Sequence, residues 1–235
     1  MFCCMKKPST KTTAIIVASG TGSRMGSEIP KQFIEVLGKP VIAYTINSLS
    51  KCKDIDEIII VTLSDYLVYC KDIVDAFGFD KVSRIVCGGD TRGNSVFNGL
   101  KELDDDCDIV AIHDGVRPMI DSNTVSECIH QARKYGCAAV GVKMKDTVKV
   151  CDENGFIDYT ADREKMWAIQ TPQVFKKDII YALHKDANEK NLSFTDDCIL
   201  AESAGYKVKI VEGQYENIKI TTPQDIFIMK GLLGE

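Results

Sequence analysis

Short apolar runs alternate with helix-like segments along most of this chain. The runs have the length of β-strands and lie at residues 14–18, 58–62, 85–87, 109–112, 138–142, 167–169 and 208–211. Between the fourth and fifth runs, apolar residues recur at the spacing of one helix face, at Val125, Cys128, Ile129 and Ala132. Asp121 or Ser122 is placed to cap that helix. Strands that alternate with helices in this way predict an α/β fold, in which a mostly parallel sheet carries helices on both faces.

The end of the chain has the signals of one more helix. Thr222 is a suitable cap, Pro223 would occupy the first helical position, and Asp225 follows three residues after the cap. The residues expected to face inward are Ile226, Met229 and Leu233.

Residues 145–162 depart from this alternation and predict a β-hairpin arm. Apolar residues alternate with polar ones at 148–150 and again at 157–159, on either side of a turn at 153–155. A two-stranded arm is marginally stable alone. We therefore expect it to pack on something. The sequence pattern leaves open whether that is a second subunit or its own domain, along which it would lie as an edge hairpin.

Length and composition indicate one globular domain. The chain has 235 residues, of which 45% are hydrophobic and 27% charged. A net charge of −5 disfavours a nucleic-acid-binding protein, since such proteins present a basic face, whereas an anionic small ligand needs only a local basic site. Residues 1–12 are polar and basic, which predicts a flexible tail before a single domain at 13–235.

Neither a signal peptide nor a membrane span is indicated by the hydrophobic pattern. Residues 1–12 lack the apolar core of a signal peptide, and no run approaches the ~18 apolar residues of a span. The ten cysteines are scattered, without a Cys-x-x-Cys pair, and there are three histidines, so neither a disulfide framework nor a metal site is favoured. We expect a cytoplasmic protein with free thiols in its core and no membrane partner.

The first apolar run leads directly into a glycine loop that is suited to bind phosphates. The loop reads Ser19-Gly20-Thr21-Gly22-Ser23-Arg24-Met25, and Pro30-Lys31-Gln32 follows it. Glycines allow backbone N–H groups to point at an anion, and Arg24 and Lys31 add full positive charges. The dinucleotide fingerprint would need glycine in place of Met25, and the Gly-Lys-Ser or Gly-Lys-Thr of a P-loop is absent. Taken alone, a tight turn with a surface arginine explains the loop equally well.

Polar residues also follow other predicted strands, where ligands of such sheets bind. The first group is Gly88-Gly89-Asp90-Thr91-Arg92-Gly93-Asn94-Ser95, which could hold a base edge, or could be a turn with Asp90 as a helix cap. The second is His113-Asp114-Gly115-Val116-Arg117-Pro118, in which Asp114 could receive sugar hydroxyls or Mg²⁺, or could form an Asx turn, while His113 alone is more typical of a structural residue.

Two further polar groups have simple structural explanations beside the functional ones. Thr195-Asp196-Asp197 opens a predicted helix, where acidic residues are favoured by the helix dipole. Lys219 lies between Ile218 and Ile220, where a surface lysine is less expected, although a strand lysine can extend its amine to solvent.

Together these groups resemble one family, the 2-C-methyl-D-erythritol 4-phosphate cytidylyltransferases of the non-mevalonate isoprenoid pathway. The motifs that carry the resemblance occur in order from about residue 13 to residue 233 and cover almost the whole chain. They are Ala18-Ser19-Gly20-x-Gly22-x-Arg24-Met25, Pro30-Lys31-Gln32, Gly88-Gly89-Asp90-x-Arg92, His113-Asp114-x-x-Arg117-Pro118, Asp146-Thr147, Asp162-Arg163, Gln170-Thr171-Pro172-Gln173, Thr195-Asp196 and Glu212-Gly213-x-x-x-Asn217-Ile218-Lys219-x-Thr221.

The resemblance implies a Rossmann-like enzyme that transfers CMP from CTP to methylerythritol phosphate and releases pyrophosphate. It implies Mg²⁺ or another divalent cation as cofactor, with Asp114 beside the metal, and a homodimer whose arms reach into each other's sites. The implied catalytic residues are Arg24, Lys31, Arg163 and Lys219. The residues implied to bind CTP are Ala18, Ser19, Gly20, Gly22, Arg24, Lys31, Gly89, Asp90, Ser95, Asp114 and Gly115. Those implied to bind the acceptor are Asp114, Arg117, Thr147, Arg163, Thr171, Thr195 and Lys219, with Thr147 and Arg163 supplied by the partner's arm.

Two departures from the family pattern bear on the substrate. Ser19 stands where alanine is usual, and Gly115-Val116 stands where two small residues are common. A valine there is similar to the related ribitol 5-phosphate cytidylyltransferases, which are the alternative prediction. The arm and the Glu212-Gly213-x-x-x-Asn217 pattern favour methylerythritol phosphate. A remote alternative is an inactive nucleotide-binding scaffold, which the presence of Arg24, Lys31, Arg163 and Lys219 disfavours.

Overall fold

The computed structural model describes residues 11–21, 26 and 29–234 of the chain. Its strands are β1 (Lys11–Ala18), β2 (Glu35–Val36), β3 (Lys39–Pro40), β4 (Glu57–Thr62), β5 (Val82–Cys87), β6 (Cys107–Asp114), β7 (Cys137–Lys143), β8 (Lys149–Cys151), β9 (Ile157–Thr160), β10 (Trp167–Lys176) and β11 (Lys209–Glu212). Its α-helices are α1 (Val41–Ser50), α2 (Leu67–Phe77), α3 (Arg92–Lys101), α4 (Ser122–Tyr135), α5 (Lys177–Glu189), α6 (Asp197–Ser203) and α7 (Pro223–Leu232).

Seven strands form one central sheet, in the order β11-β7-β10-β6-β1-β4-β5. The seven predicted apolar runs fall in these strands, and the last strand lies one residue later than predicted. β10 runs antiparallel to both its neighbours, while the other pairs are parallel, so the mostly parallel sheet is confirmed. Because parallel strands are covered on both sides, β4 is buried along its whole length.

Alternate residues of the strands pack on opposite helical layers. On β1, the alternate residues Ala14, Ile16 and Ala18 contact a layer that includes α1, α2 and α4. Ile15, Val61 and Ile112 face the other layer, which includes α3, α5 and α6. A smaller cluster joins α7 to the β2–β3 hairpin and the start of α1, around Val36, Val41, Val116, Ile220 and Met229. Helices on both faces of the sheet are thus confirmed.

The predicted helix ends are also found. Asp121 caps α4 by accepting a hydrogen bond from the Thr124 N–H (2.9 Å), and the four apolar residues predicted for its inner face are buried. α7 begins after Thr222, and the Asp225 carboxylate accepts from the Thr221 and Thr222 N–H groups, each at 2.7 Å. Among the three residues predicted to face inward, Met229 is fully buried, and Ile226 and Leu233 are partly buried against the same cluster.

The predicted tail is shorter than expected where the structure describes it. Lys11 and Thr12 belong to β1, and Lys11 is held by ion pairs to Glu57 (2.9 Å) and Asp104 (2.6 Å). Residues 1–10 lie outside the described part of the chain. The strand therefore begins two residues before the predicted start of the domain, at polar residues that the apolar pattern does not mark.

The hairpin arm is present, with β8 and β9 paired antiparallel around the predicted turn. Residues 151–160 are exposed throughout, and they include Phe156 (73% exposed), Ile157 (61%) and Tyr159 (59%). The alternative in which the hairpin lies on its own domain is therefore wrong, since a covered hairpin would bury these side chains.

The cysteines are mostly core residues, as expected. Eight lie in the described part of the chain and are free thiols, six of them buried. Cys87 and Cys151 are exposed, which corrects the expectation of core positions for these two. Among the described residues, no helix combines the length and the apolar composition needed to cross a membrane.

Candidate active site

The carboxyl ends of β1, β5 and β6 border a cavity of about 290 Å³. The sequence-predicted residues that line it are Ala18, Ser19, Gly20, Lys31, Gly89, Asp90, Ser95, Asp114 and Lys219. Gln32, Thr91, Arg92 and Val116 also line it. The predicted Gly22 and Arg24 lie outside the described residues. The cavity thus gathers residues from five separate sequence motifs at the sheet edge where ligands of such folds bind.

The glycine loop after β1 is fastened by Gln32. Its side-chain amide donates hydrogen bonds to the Ala18 carbonyl (2.6 Å) and to the Gly20 carbonyl (3.0 Å). Gln32 follows Lys31 in a short 3₁₀ turn, and both are buried. A buried lysine at a cavity wall is unusual unless its charge meets an anion or another partner. The arrangement is suited to a negatively charged ligand.

Ser95 connects this loop to the glycine pair after β5. Its hydroxyl accepts from the Ser19 hydroxyl (2.7 Å) and from the Gly89 N–H (3.1 Å), and it donates to the Thr91 carbonyl (2.9 Å). Gly88 packs so closely that a Cβ there would lie 2.4 Å from the Ser19 Cβ. The departure at Ser19 therefore has a structural use, because its hydroxyl ties two walls of the cavity together.

Thr91, rather than Asp90, caps α3. The Thr91 hydroxyl accepts from the Asn94 N–H at 3.1 Å. The alternative that explains Asp90 as a helix cap is therefore wrong, and its side chain is left at the cavity wall.

Asp114 is the electrostatic centre of the cavity. Its carboxylate is nearly buried and lies 2.9 Å from Lys219 Nζ, 3.5 Å from Arg117 Nε and 3.6 Å from Arg92 Nε. Burial by itself would raise the pKa of Asp114, but Lys219, Arg92 and Arg117 outweigh it and hold the pKa well below its ordinary value. Asp114 therefore stays ionised among three cations.

Three residues behind Asp114 hold it in place. The Thr171 hydroxyl accepts from the Asp114 N–H (3.1 Å) and donates to His113 Nδ1 (3.1 Å), and His113 Nε2 donates to the Arg117 carbonyl (3.1 Å). Burial lowers the pKa of His113 to about 4, so its ring is neutral at pH 7. His113 is thus structural, as its surroundings in the sequence suggested. Thr171 is buried beneath the cavity, and binding of the acceptor by its side chain stays a prediction.

Lys219 lies on a loop. The alternative that explains it as a strand lysine is therefore wrong. Asn217, which is fully buried, fastens this loop by donating to the Gln170 side chain and to the Thr171 carbonyl, both at 3.0 Å. Arg117 Nη1 donates to the Asn217 carbonyl at 2.8 Å. The loop is therefore tied to β10, the neighbour of the strand that ends in Asp114, and Arg117 holds the loop as well as the carboxylate.

The remaining predicted residues do not line the cavity. Thr147 is exposed at the base of the arm, and Arg163, half exposed, donates to the Lys145 carbonyl (3.0 Å). Thr195 is exposed on the loop before α6, and Gly115 packs against Ala18 at the end of β6. The structure does not bring Thr147, Arg163 or Thr195 to this chain's own cavity.

Sequence reasoning gave no role to one cavity residue, Arg92. Arg92 belongs to the second glycine motif, but its local sequence suggests only a surface arginine at the start of a helix. In the structure its guanidinium also forms an ion pair with Asp197 at 2.8 Å. The sequence held one signal for this ion pair. Asp196 alone is enough to cap α6, so the second aspartate of Thr195-Asp196-Asp197 was available for another contact.

The comparisons with known proteins agree on one family. Residues 12–235 match the family model described as IspD, 2-C-methyl-D-erythritol 4-phosphate cytidylyltransferase. The enzyme of that name from Caldanaerobacter subterraneus subsp. tengcongensis is 46% identical over 217 residues, which are 92% of this chain and 96% of that protein. The one from Clostridium botulinum (strain 657 / Type Ba4) is 45% identical over 224 residues, 95% of this chain and 98% of the other.

A solved structure has the same fold. The crystal structure of 4-diphosphocytidyl-2C-methyl-D-erythritol synthase from Anaerococcus prevotii has a TM-score of 0.86 and 38% identity, and the match covers 96% of this chain and 97% of that one. Sequence, fold and the charged cavity lead to the same conclusion: this chain belongs to the 2-C-methyl-D-erythritol 4-phosphate cytidylyltransferase family.

Proposed function

We propose that this chain transfers CMP from CTP to 2-C-methyl-D-erythritol 4-phosphate, a step of isoprenoid precursor biosynthesis. The observation that carries the proposal is the Asp114–Lys219 pair at 2.9 Å, in a cavity that also contains Lys31 and the glycine loop. A fixed carboxylate among several cations suits a substrate pair that brings a sugar, a triphosphate and a second phosphate together.

The reaction needs no dedicated general base. A phosphate monoester has its second pKa near 6, so the acceptor oxygen is already largely deprotonated near neutrality. This oxygen attacks the α-phosphorus of CTP, the bond from that phosphorus to the β-phosphate oxygen breaks, and pyrophosphate leaves. The main obstacle is repulsion between two anions, on the order of 4 kcal/mol for each pair of unit charges ~4 Å apart at an effective dielectric of ~20.

Cationic side chains of the protein reduce the repulsion between the two anionic substrates, because they are held close to the phosphates. Lys31 is assigned to the triphosphate and its transition state, together with Arg24, which lies outside the described residues. Lys219 is assigned to the acceptor phosphate, and its ion pair with Asp114 holds the amine at the cavity. Such preorganised charges are the usual means of catalysis in phosphoryl and nucleotidyl transfer.

The second glycine pair and Ser95 are assigned to the cytosine. Ser95 is fully buried, and its three hydrogen bonds fix the Gly89 backbone rather than leave its hydroxyl free for a ligand. Its contribution to base binding is therefore made through the position of Gly89 and Asp90. Ser19, Gly20 and Gly115 support the same nucleotide from the ends of β1 and β6.

Asp114 is the side chain we assign to a divalent cation. The described residues contain no group of three or more potential ligands of the His, Cys, Asp or Glu type. One ionised carboxylate is nevertheless sufficient for Mg²⁺, which prefers oxygen ligands, keeps several waters and is completed by substrate phosphates. When bound, Mg²⁺ would neutralise part of the triphosphate charge.

We further propose that the chain acts as a homodimer in which each arm enters the partner's site. The support is that the arm leaves Phe156, Ile157 and Tyr159 exposed, and that Thr147 and Arg163 at its base do not line their own chain's cavity. Arg163 would then bind the acceptor phosphate from the other side. A cytoplasmic location is proposed as well, because CTP is a cytoplasmic metabolite and free thiols persist in reducing compartments.

Pyrophosphate release tests the activity directly. With CTP and Mg²⁺, we expect release with methylerythritol phosphate to be much faster than with ribitol 5-phosphate. Equal or reversed rates would overturn the substrate assignment in favour of the ribitol alternative. Absence of release with either acceptor, while CTP still binds, would favour the inactive scaffold.

A further inference from the structure

Arg92 lines the cavity and also forms an ion pair with Asp197, whose carboxylate lies outside the cavity lining. Its Nε lies 3.6 Å from Asp114 Oδ1, and its Nη2 lies 2.8 Å from Asp197 Oδ2. Asp114 ends β6 at the cavity, whereas Asp197 opens α6 and has no exposed surface. One guanidinium therefore spans two buried carboxylates that come from different layers of the fold.

Asp197 is itself held from two other directions. His184 of α5, which is also buried, donates from Nε2 to Asp197 Oδ1 at 2.9 Å. The Asp197 N–H donates to Gln173 Oε1 (2.9 Å), and Gln173 belongs to β10 in the central sheet. The carboxylate cannot rotate away from Arg92 without breaking its hydrogen bond to His184 of α5, and the backbone that carries it is fixed to the sheet by Gln173.

The contacts of Asp197 fix the position of the Arg92 guanidinium. Complete burial disfavours the ionised form of Asp197, yet the Arg92 charge and the hydrogen bond from His184 outweigh burial and hold the pKa of Asp197 below its ordinary value. A buried charge pair of this kind contributes little net stability, but either partner alone would be strongly unfavourable. Each charge therefore fixes the other.

The consequence concerns Asp114 during the reaction proposed above, on which this inference rests. Lys219 is the cation nearest to Asp114, and it is also the one assigned to the acceptor phosphate. When its amine turns to that phosphate, Arg92 and Arg117 remain to balance the carboxylate. We propose that Asp197, supported by His184, is a positioning residue for CMP transfer, which fixes Arg92 and through it the position of Asp114 at the CTP site.

A double-mutant cycle of Asp197→Asn and Arg92→Met tests this. We expect each single variant to raise KM and Kd for CTP about tenfold, which corresponds to loss of one charge-assisted contact. The double variant should be no worse than Arg92→Met alone in kcat/KM for CTP, because Asp197 acts only through Arg92. Its Tm should exceed that of Asp197→Asn, since both members of the buried pair are then absent.

Asp186→Asn is the matched control. Asp186 lies on α5 near His184, but it is exposed and pairs with Lys190 at 2.7 Å. Its KM and Kd for CTP should equal those of the wild type. If Asp197→Asn does not fold, His184→Ala replaces it in the same cycle, with a smaller expected rise in KM in the wild-type background and none in Arg92→Met.

The outcomes separate this inference from the proposed function. A wild type that binds CTP by calorimetry but releases no pyrophosphate would contradict the reaction, while the Kd cycle would still test the role of Asp197. A lower Tm for Asp197→Asn with unchanged KM and Kd for CTP would overturn the inference, because Asp197 would then serve stability alone. Additive losses in the double variant would overturn it too, since they would show that Asp197 acts independently of Arg92.

Discussion

At the scale of single residues, the site depends on a buried carboxylate surrounded by several cationic side chains. Asp114 carries the one carboxylate charge that contacts Lys219, Arg117 and Arg92 together. Lys31 adds another cation to the lining of the cavity. Because burial makes every one of these charges interact more strongly than in water, each substitution should affect catalysis more than stability when its side chain faces the cavity.

Lys31→Ala should reduce kcat by at least ~10²-fold, the scale observed for loss of a preorganised transition-state charge. Steady-state pyrophosphate release measures kcat, and circular dichroism checks that the variant is folded. Lys51→Ala, which replaces the exposed lysine at the end of α1, is the matched control and should keep the wild-type kcat. A Lys31→Ala enzyme with near-wild-type turnover would reduce Lys31 to a structural role.

His113 should make the protein less stable in mild acid. Its pKa is lowered from an ordinary value of 6.5 to about 4 by burial. Below the ordinary value the unfolded chain binds a proton that the folded chain does not, so stability is complete above about pH 6.5 and falls as the pH approaches 4. The loss over this window is about 3 kcal/mol.

Urea unfolding of the wild type and of His113→Gln measures this effect. The free energy of unfolding of the wild type should fall more steeply between about pH 7 and about pH 5 than that of the variant, which cannot titrate there. The difference between the two slopes isolates His113 from the other titrating groups. Parallel slopes would show that the folded ring is not kept neutral.

At the scale of elements, the sequence predicts what is encoded locally. α4 follows from its apolar spacing and from Asp121, and the hairpin follows from alternation around a turn. The pairing of Arg92 with Asp197 could not be predicted, because it depends on how α3 and α6 pack on the same face of the sheet. The attachment of the Lys219 loop by Asn217 was hidden for the same reason. The resemblance supplied the site residues, but not the contacts that hold them.

Gly88 is the point at which two loops approach most closely, and it should not tolerate a side chain. A Cβ at Gly88 would lie 2.4 Å from the Ser19 Cβ, so Gly88→Ala must displace the glycine loop and should raise KM for CTP about tenfold or more. Adding Ser19→Gly removes the two nearest atoms and leaves Ser95 Oγ at 3.0 Å, so it should restore part of the affinity. Steady-state kinetics with varied CTP measures both effects.

Gly231→Ala in α7 is the control for introducing a methyl group. No atom outside the helix's own backbone lies within 4 Å of its added Cβ, and alanine favours a helix, so this variant should keep wild-type kinetics and gain up to about 1 kcal/mol. If Gly88→Ala behaves like Gly231→Ala, the close packing of the two loops has no part in CTP binding. If Ser19→Gly fails to rescue it, the steric explanation is wrong.

At the scale of the whole molecule, the distribution of site residues requires an explanation. The described cavity collects Lys31, Asp114 and Lys219 from the body of the domain, while Thr147 and Arg163 lie at the base of an exposed arm. Within a single chain, the cavity therefore contains only one part of the assigned acceptor site. A second copy of the chain accounts for both facts, and for the exposed apolar side chains of the arm.

Complementation between two inactive variants tests that arrangement. If the arm completes the partner's site, Arg163→Ala and Lys219→Ala should each be nearly inactive, since Lys219 belongs to the body of one chain and Arg163 would act across the interface. After subunit exchange, a mixed dimer has one site with both defects and one with neither. Random pairing makes half of the dimers mixed, and half of their sites are whole, so pyrophosphate release should recover toward about a quarter of the wild-type rate. Exchange itself is verified with differently tagged subunits. If activity stays absent after exchange is demonstrated, Arg163 serves its own chain's site, and the arm that acts across the interface must be abandoned.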